Sequence, residues 1–282
     1  MKKGLIMEGG AMRGMFTCGV LDVFMENGVT FDGAAGISAG AVFGCNFKSR
    51  QNGRAIRYNK RFCSDPRYCS LRSLIKTGNL YGVDFCYREI PEELDLFDNK
   101  TFAEDPMEFY VGATDIETGK IVYHKCTDGG ERDLLWMRAS ASLPLVSKPV
   151  EVDGYVLMDG GIVDPVPYEY MESIGYDRNV MILTQPKDYV KPKDKTVPLN
   201  RLALKKYPMV AATMAVRHKI YARQMKEIAD REASGKALVI RPPESLRIGR
   251  TEKDPEELER VYRIGRREAA SALGKVKDFL EE

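Results

Sequence analysis

Gly36-Ile37-Ser38-Ala39-Gly40 has the form Gly-x-Ser-x-Gly, and it lies between the apolar pair Ala34-Ala35 and a helix-compatible run, Ala41-Val42-Phe43. A serine in this pattern occupies a strained turn from a strand into a helix, which exposes its hydroxyl group. Only small flanking residues permit the turn, so the two glycines have a steric role. Ser38 is therefore a candidate nucleophile, and it needs a base and a site for an oxyanion.

Two units of strand, turn and helix follow each other at the start of the chain. The first has an apolar strand over Gly4–Met7, the glycine-dense turn Gly9-Gly10-Ala11-Met12-Arg13-Gly14, and an apolar helical stripe that ends at Asn27-Gly28. The second has a strand over Phe31–Gly36 and a helix over Ala39–Phe47. Repeated units of this kind predict an α/β fold with a mainly parallel central sheet flanked by helices. The glycine turn exposes backbone N–H groups at a helix N-terminus, where an anion can bind.

The rest of the chain adds two hairpins, one more core strand and a mainly helical C-terminal portion. The hairpins join residues 108–114 to 120–124, and 150–152 to 155–158 through the turn Asp153-Gly154. The second hairpin delivers Asp159-Gly160-Gly161 to the end of a strand. A core strand is predicted over 179–184, and a final helix, capped by Asp254, has an apolar face expected to pack on the sheet.

Composition limits the class of protein. The chain has 282 residues, 44% of them hydrophobic and 30% charged, with a net charge of +2, which argues against a dedicated nucleic-acid partner. The six cysteines have no metal-ligand spacing, so reduced thiols in a cytoplasmic protein are expected, and neither a metal nor a cofactor is predicted. No signal peptide or membrane-spanning segment is evident, so the expected location is the cytoplasm, with peripheral contact at the inner membrane surface as an extension.

The segment from Lys48 to Lys76 is strongly basic, with aromatic residues interleaved and Asp65 as its single acidic residue. A basic wall beside a site for anionic substrates is one interpretation, and an ordinary solvated helix is the other. An acidic run between Glu89 and Asp98 follows directly, so the two runs could simply pair with each other.

The base for Ser38 is not an obvious histidine. The chain has only His124 and His218, and His218, the sole candidate in the usual order of Ser, Asp and His, lies on a charged helical face. A carboxylate is the alternative, and Asp159 follows an apolar strand and precedes two glycines. Burial would raise the pKa of Asp159 and make it a competent base, although a plain Asp-Gly turn fits the segment equally well.

Three segments together resemble the patatin-like phospholipase family, in its bacterial-type acyl hydrolases. They are the glycine loop Gly9–Gly14, the elbow Gly36–Gly40 and the triplet Asp159-Gly160-Gly161, and their identity, order and spacing all match. The stretch Ala139-Ser140-Ala141-Ser142-Leu143-Pro144 before the triplet agrees as well. The resemblance covers roughly residues 4 to 185 and becomes vague beyond them.

The resemblance implies a three-layer α/β/α fold and a Ser-Asp dyad, with Ser38 as nucleophile and Asp159 as base. It implies that the backbone N–H groups of the turn from Gly9 to Ala11 form the oxyanion hole, while Arg13 braces the loop. The domain boundaries that follow are 4–185 for the catalytic domain, including a lid over 48–107, and 186–282 for a helical portion packed on the same domain.

The predicted function is hydrolysis of fatty-acyl esters of lipids or phospholipids through an acyl-enzyme. The alternatives are a general carboxylesterase or thioesterase, and a weakly active lipid-binding or regulatory protein. Ala11 bears on the last alternative, because the family usually has glycine there. Alanine keeps the N–H donor and is tolerated if its φ is negative, whereas a positive φ would strain the loop.

Overall fold

The computed structural model describes residues 1–281, apart from the side chain of residue 200, and it contains one eight-stranded sheet. The strands are β1 (Lys2–Met7), β2 (Gly33–Ile37), β3 (Glu108–Asp115), β4 (Lys120–Cys126), β5 (Val150–Val152), β6 (Tyr155–Asp159), β7 (Tyr176–Ile182) and β8 (Ala237–Ile240). Their order is β5-β6-β3-β2-β1-β7-β8, and β4 pairs with β3 as well. The run β3-β2-β1-β7-β8 is parallel, so the predicted α/β fold with a mainly parallel sheet is confirmed.

The helices lie around this sheet and in the segment that connects β2 to β3. They are α1 (Gly14–Glu26), α2 (Ala39–Lys48), α3 (Arg54–Phe62), α4 (Leu71–Thr77), α5 (Asn99–Glu104), α6 (Glu131–Ser140), α7 (Tyr168–Ser173), α8 (Val197–Ala203), α9 (Pro208–Ala233) and α10 (Pro255–Glu281). A π-helix, Phe85–Leu94, lies between α4 and α5, and two 3₁₀ turns follow β1 and β6. No helix among the described residues is both long and apolar enough to cross a membrane.

Three partners of β3 determine where the site forms. The antiparallel strand β4 pairs with β3 along Phe109–Asp115 and so occupies one of its edges. The other edge is shared, because β2 pairs with Glu108–Gly112 and β6 pairs with Ala113–Asp115. Since a strand has only two edges, β6 continues the sheet at the point where β2 ends and turns into α2.

The final helix packs in a different place from the one predicted. The expected apolar face exists, with Leu258 and Val261 fully buried. The helix α10 lies mainly against α1, and only part of it reaches β7 and β8. The two backbones approach closely because Gly19 faces the carbonyl of Tyr262 and Gly265 faces the carbonyl of Phe16. The predicted cap is present, as the Asp254 carboxylate accepts the Glu256 N–H at 2.9 Å.

Candidate active site

Ser38 occupies a strained turn between β2 and α2. Its backbone has φ 55° and ψ −119°, a conformation that residues other than glycine rarely adopt. A Cβ atom on Gly40 would lie 2.4 Å from the Met7 carbonyl oxygen, and one on Gly36 would lie 2.4 Å from the Gly40 carbonyl oxygen. The sequence therefore needs glycine on both sides of Ser38 so that the backbones can pack this closely.

A buried hydrogen-bond chain holds this turn. The Ser38 backbone N–H donates to the Ser140 hydroxyl at 2.8 Å, and that hydroxyl donates to the Gly112 carbonyl at 2.6 Å. Ser140 is completely buried at the end of α6. The strained turn is thus tied both to α6 and to the central strand β3.

Asp159 lies at the end of β6, next to this turn in the sheet. It pairs with Ala113 of β3, whereas Ile37, the residue before Ser38, pairs with the preceding residue, Gly112. A Cβ atom on Gly160 would lie 2.3 Å from the Gly112 carbonyl oxygen, so the triplet packs directly on β3. The structure therefore brings the predicted nucleophile and the predicted base together.

Burial dominates the electrostatics of Asp159. Its exposed fraction is 1%, and loss of solvation raises the pKa of its carboxyl group. The Arg217 charge, a hydrogen bond with the Ser38 hydroxyl and the Gly161 N–H all act in the opposite direction on that pKa. Asp159 Oδ1 accepts the Gly161 N–H at 2.8 Å, whereas Oδ2 is buried without a partner at normal hydrogen-bond distance.

The glycine loop lies against Ser38. A Cβ atom on Gly9 would be 3.0 Å from the Ser38 Cβ, and one on Gly10 would be 2.7 Å from the Thr184 hydroxyl. Gly14 faces the Phe43 ring in the same way. The backbone N–H groups of Gly9 and Gly10 donate to no acceptor among the described residues, so both remain free for an anion.

Ala11 has φ 49°, which is the strained alternative considered for this position. The side chain of Arg13, two residues further along, does not brace the glycine loop as expected. Arg13 donates no side-chain hydrogen bond to any residue in the described range, and its Nε is buried without an acceptor. The Arg13 side chain instead lines a polar cleft beside Ser38.

Two cavities meet at Ser38. The larger is an apolar cavity of about 160 Å³. Among the residues that line it are Val42, Phe43, Tyr58, Ile90, Phe97 and Met137. The smaller is a polar cleft of about 50 Å³ that includes Asp159, Arg217 and the glycine loop. Ala11, Ser38 and Leu143 line both cavities, so Ser38 lies at their junction.

The basic segment 48–76 is not a free cationic wall, which corrects that interpretation. Arg54 is 4% exposed and donates to the carbonyl groups of Asp95 and Leu96, and Arg57 forms an ion pair with the Asp95 carboxylate at 2.8 Å. Arg61 donates to the Leu94 carbonyl group. The basic and acidic runs therefore pair with each other, as the alternative interpretation had it, and together they enclose the apolar cavity.

Neither histidine forms a hydrogen bond with Ser38 in the described part of the chain, and His218 Nδ1 is buried without a partner. His124 Nε2 lies 2.7 Å from Asp133 Oδ1, and its ring stacks on Trp136. His124, Cys126 and Asp133 are the one group among the described residues whose possible metal-ligand atoms all lie within 4.8 Å of one another. However, Asp133 Oδ2 already accepts three backbone N–H groups, and burial raises the pKa of the Cys126 thiol well above its usual value. The group acts as a structural hydrogen-bond network.

Sequence reasoning missed the role of four residues near Ser38. Ser140 lies in the stretch 139–144 that matches the family, but nothing in its spacing predicts that its hydroxyl accepts the Ser38 N–H. Lys191, Arg217 and Arg250 line the polar cleft, but they come from separate parts of the C-terminal portion. No local pattern connects them, and only their tertiary positions show that they belong to the site.

A mainly parallel sheet that brings a strained serine turn, a buried aspartate and a glycine loop to one junction defines an α/β protein with a candidate serine nucleophile. The chain belongs to the patatin-like phospholipase family, whose sequence model matches residues 5–171. This confirms the resemblance found in the sequence. A second model, described as a domain of unknown function (DUF6363), matches residues 207–281.

Three similar proteins place the match in context. The uncharacterized protein YjjU of Escherichia coli K12 is 30% identical over 64% of this chain and 52% of its own length. An uncharacterized NTE family protein of Mycobacterium bovis, Mb1092c, is 29% identical over 63% and 48%. Lysophospholipase NTE1 of Coccidioides immitis is 28% identical over 62% of this chain but only 11% of its own. The chain thus matches about half or less of each of these relatives.

A solved structure gives a further comparison. VipD from Legionella pneumophila aligns with 97% of this chain and 67% of its own, with a TM-score of 0.48 and 12% sequence identity.

Proposed function

We propose that this chain is a serine acyl hydrolase that cleaves fatty-acyl esters of lipids, with Ser38 as nucleophile and Asp159 as base. The observation that carries the proposal is that β2 and β6, on one edge of β3, bring Ser38 and Asp159 next to each other, and that Ser38 also lines an apolar cavity. Family membership and relatives described as lysophospholipases support the lipid class of substrate.

The reaction would begin with the fatty chain in the apolar cavity and the ester carbonyl at Ser38. Asp159 takes the hydroxyl proton while Ser38 Oγ attacks the carbonyl carbon. The raised pKa of Asp159 makes it a better proton acceptor than an ordinary aspartate. The free N–H groups of Gly9 and Gly10 would stabilise the oxyanion, and each such donor typically contributes about 3 to 4 kcal/mol.

The second half of the reaction would use the same residues. The tetrahedral intermediate collapses, the C–O bond breaks, and the leaving alcohol takes the proton from Asp159. The ionised Asp159 then removes a proton from water, which attacks the acyl-enzyme. Breakdown of the second intermediate releases the fatty acid and restores the Ser38 hydroxyl.

The strained loop gives one specific reason to keep the weakly active lipid-binding alternative. Ala11, at φ 49°, lies in the loop that would hold the oxyanion. Labelling with a fluorophosphonate distinguishes the two functions, because an active serine hydrolase reacts and its Ser38→Ala variant does not. Ser173→Ala, on the exposed end of α7, is the matched control. A wild-type protein that neither labels nor hydrolyses any ester would contradict the enzyme function.

The breadth of substrate is tested with esters that differ only in acyl length. A lipid hydrolase should prefer long-chain lipid esters over short p-nitrophenyl esters, because the long chain fills the apolar cavity. A general carboxylesterase or thioesterase would show no such preference.

Peripheral membrane contact is assigned to α4. Its Leu71 and Ile75 are 71% and 87% exposed, and Arg72 and Lys76 beside them are exposed too. An apolar pair flanked by cations suits an anionic lipid surface. Leu71→Ser with Ile75→Ser should lower hydrolysis on anionic vesicles and spare a short soluble ester. Equal effects on both substrates would contradict this contact.

A further inference from the structure

The polar cleft beside Ser38 is lined by four cationic side chains. They are Arg13, Lys191, Arg217 and Arg250. Arg13 ends the 3₁₀ turn after β1, Lys191 lies in the loop after β7, Arg217 belongs to α9, and Arg250 precedes α10. Three of the four therefore come from beyond residue 185, in the part of the chain that the sequence did not connect with the site.

These cations lack acidic partners of their own. None of the four forms an ion pair within the described residues, whereas arginines elsewhere in the chain do, among them Arg50, Arg132, Arg223, Arg241 and Arg260. Arg217 Nε donates to the Gly161 carbonyl, and Arg13 Nε is buried with no acceptor at all. Donors that are left unsatisfied in a cleft are costly unless a ligand accepts them.

Two carboxylates, Glu8 and Asp159, line the cleft with the four cations, and the charge of Asp194 also acts on Arg217, so cations outnumber acidic groups in the lining. The Glu8 carboxylate already accepts the backbone N–H and the hydroxyl of Thr184. Burial is the main reason that the pKa of Lys191 falls to about 8; repulsion by Arg217, Arg13 and Arg250 adds to it, and the Glu8 charge acts in the opposite direction.

The cleft and the apolar cavity lie on either side of the nucleophile, since Ala11, Ser38 and Leu143 line both. A molecule with its ester at Ser38 can therefore extend an acyl chain into one cavity and a polar group into the other. In a glycerophospholipid, only the glycerol unit separates the ester from the phosphate. Phosphate oxygens are the acceptors that clustered arginines bind best.

We propose that this cleft is an anion subsite that binds the phosphate of a glycerophospholipid, with the scissile acyl chain in the apolar cavity. The assignment rests on the proposed hydrolase function and specifies its substrate as an anionic lipid ester. The C-terminal portion thereby supplies substrate recognition to a site whose reacting groups come from residues 9–159.

The test compares two substrates with the same acyl chain, a lysophosphatidate and the corresponding monoacylglycerol, both below their micelle concentrations. The wild type should hydrolyse the lysophosphatidate with the higher kcat/KM. Lys191→Gln and Arg250→Gln should each lower that preference by roughly 3- to 10-fold, mainly through a higher KM for the lysophosphatidate. Lys191→Arg and Arg250→Lys should retain the preference. Arg223→Gln, an exposed arginine on α9, is the control.

Arg217 is left out of the main comparison because it contacts Gly161 of the triplet, so its loss would disturb Asp159 as well. Equal kcat/KM for the two substrates, or variants that change both equally, would overturn the anion subsite. A stronger preference for the matching acyl-coenzyme A thioester, lost in the same variants, would place the phosphate on a soluble carrier and overturn the lipid assignment.

A binding experiment separates this proposal from the hydrolase function. If the wild type hydrolyses no ester, the function fails, and the subsite is then tested by titrating glycerol 3-phosphate and glycerol into the Ser38→Ala protein. Chemical-shift changes with glycerol 3-phosphate alone, abolished by Lys191→Gln combined with Arg250→Gln, support the subsite. No difference between the two ligands overturns it.

Discussion

Ile37 and Asp159 occupy successive positions along one edge of β3, where Ile37 pairs with Gly112 and Asp159 pairs with Ala113. They come from a parallel and an antiparallel partner of the same strand, 122 residues apart in the sequence. Because β2 ends where β6 takes over, Ser38 turns away from the sheet beside the Asp159 carboxylate. The first predictions test this arrangement.

The acidic limb of the pH profile of kcat/KM should reflect ionisation of the Asp159 carboxyl group. A carboxylate acts as a base only when it is ionised, so kcat/KM should fall as the pH drops through a pKa that burial has raised above the ordinary aspartate value. The Arg217 charge lowers that pKa, so Arg217→Gln should move the limb to higher pH. Arg223→Gln should leave it in place, and a limb at the ordinary aspartate pKa in all three proteins would contradict the assignment.

Asp159→Asn should lose activity and gain stability. A raised pKa means that the folded state binds more protons, so the free energy of unfolding falls as pH rises from the unfolded-state pKa, about 3.9, through the folded-state value. Asparagine cannot ionise, and its Oδ1 can still accept the Gly161 N–H. Thermal unfolding at pH 7 should give a higher Tm for the variant, with ester hydrolysis reduced by about 10⁴-fold, the loss seen when a triad aspartate becomes asparagine. A lower Tm for the variant would contradict a raised pKa of Asp159 in the folded state.

Ser140→Ala should reduce kcat without a matching change in KM. The variant leaves the Ser38 N–H and the Gly112 carbonyl group without a buried partner, which costs about 1 to 3 kcal/mol of stability. A displaced Ser38 turn should lower kcat by roughly 10- to 100-fold. Ser142→Ala is the control, since its hydroxyl, just beyond the end of α6, donates only to the Arg138 carbonyl of that helix. If kcat in the folded variant equals that of wild type, Ser140 has no positioning role.

Ala11→Gly should stabilise the protein. A left-handed φ costs alanine about 1 to 2 kcal/mol, and the greater freedom of glycine in the unfolded chain offsets about 0.5 to 1 kcal/mol of the gain. The expected change in Tm is a rise of a few °C. Ala212→Gly, on an exposed turn of α9, should instead destabilise by about 1 kcal/mol. If both variants lower Tm, Ala11 is not strained.

Arg54→Gln should unfold at a much lower temperature than wild type. Its buried guanidinium also donates to Asn46 Oδ1 at 2.9 Å, and removing one partner from such a network costs about 3 to 5 kcal/mol. Arg72→Gln, an exposed change on α4, should stay within about 0.5 kcal/mol of wild type. Similar Tm values for the two variants would contradict the structural role of Arg54. They would favour the interpretation of the basic segment as a solvent-exposed cationic surface.

The sequence by itself determined the local chemistry and the fold class. Gly36–Gly40 requires a strained turn, because larger flanking residues would meet backbone atoms, and the repeated strand, turn and helix units require a parallel sheet. The two hairpins, and the position of Asp159 after the second one, could also be predicted. The spacing of apolar residues and the identity of turn residues depend only on residues close together in the sequence.

The tertiary structure decided whatever depends on residues far apart in the chain. It placed β2 and β6 on one edge of β3, gave Ala11 its positive φ, and turned Arg54 inward towards Asp95. It also gathered Lys191, Arg217 and Arg250 from three separate segments into one cleft beside Ser38. Charge in the sequence showed only that these residues are basic, and packing alone determined which cations form ion pairs with carboxylates and which do not.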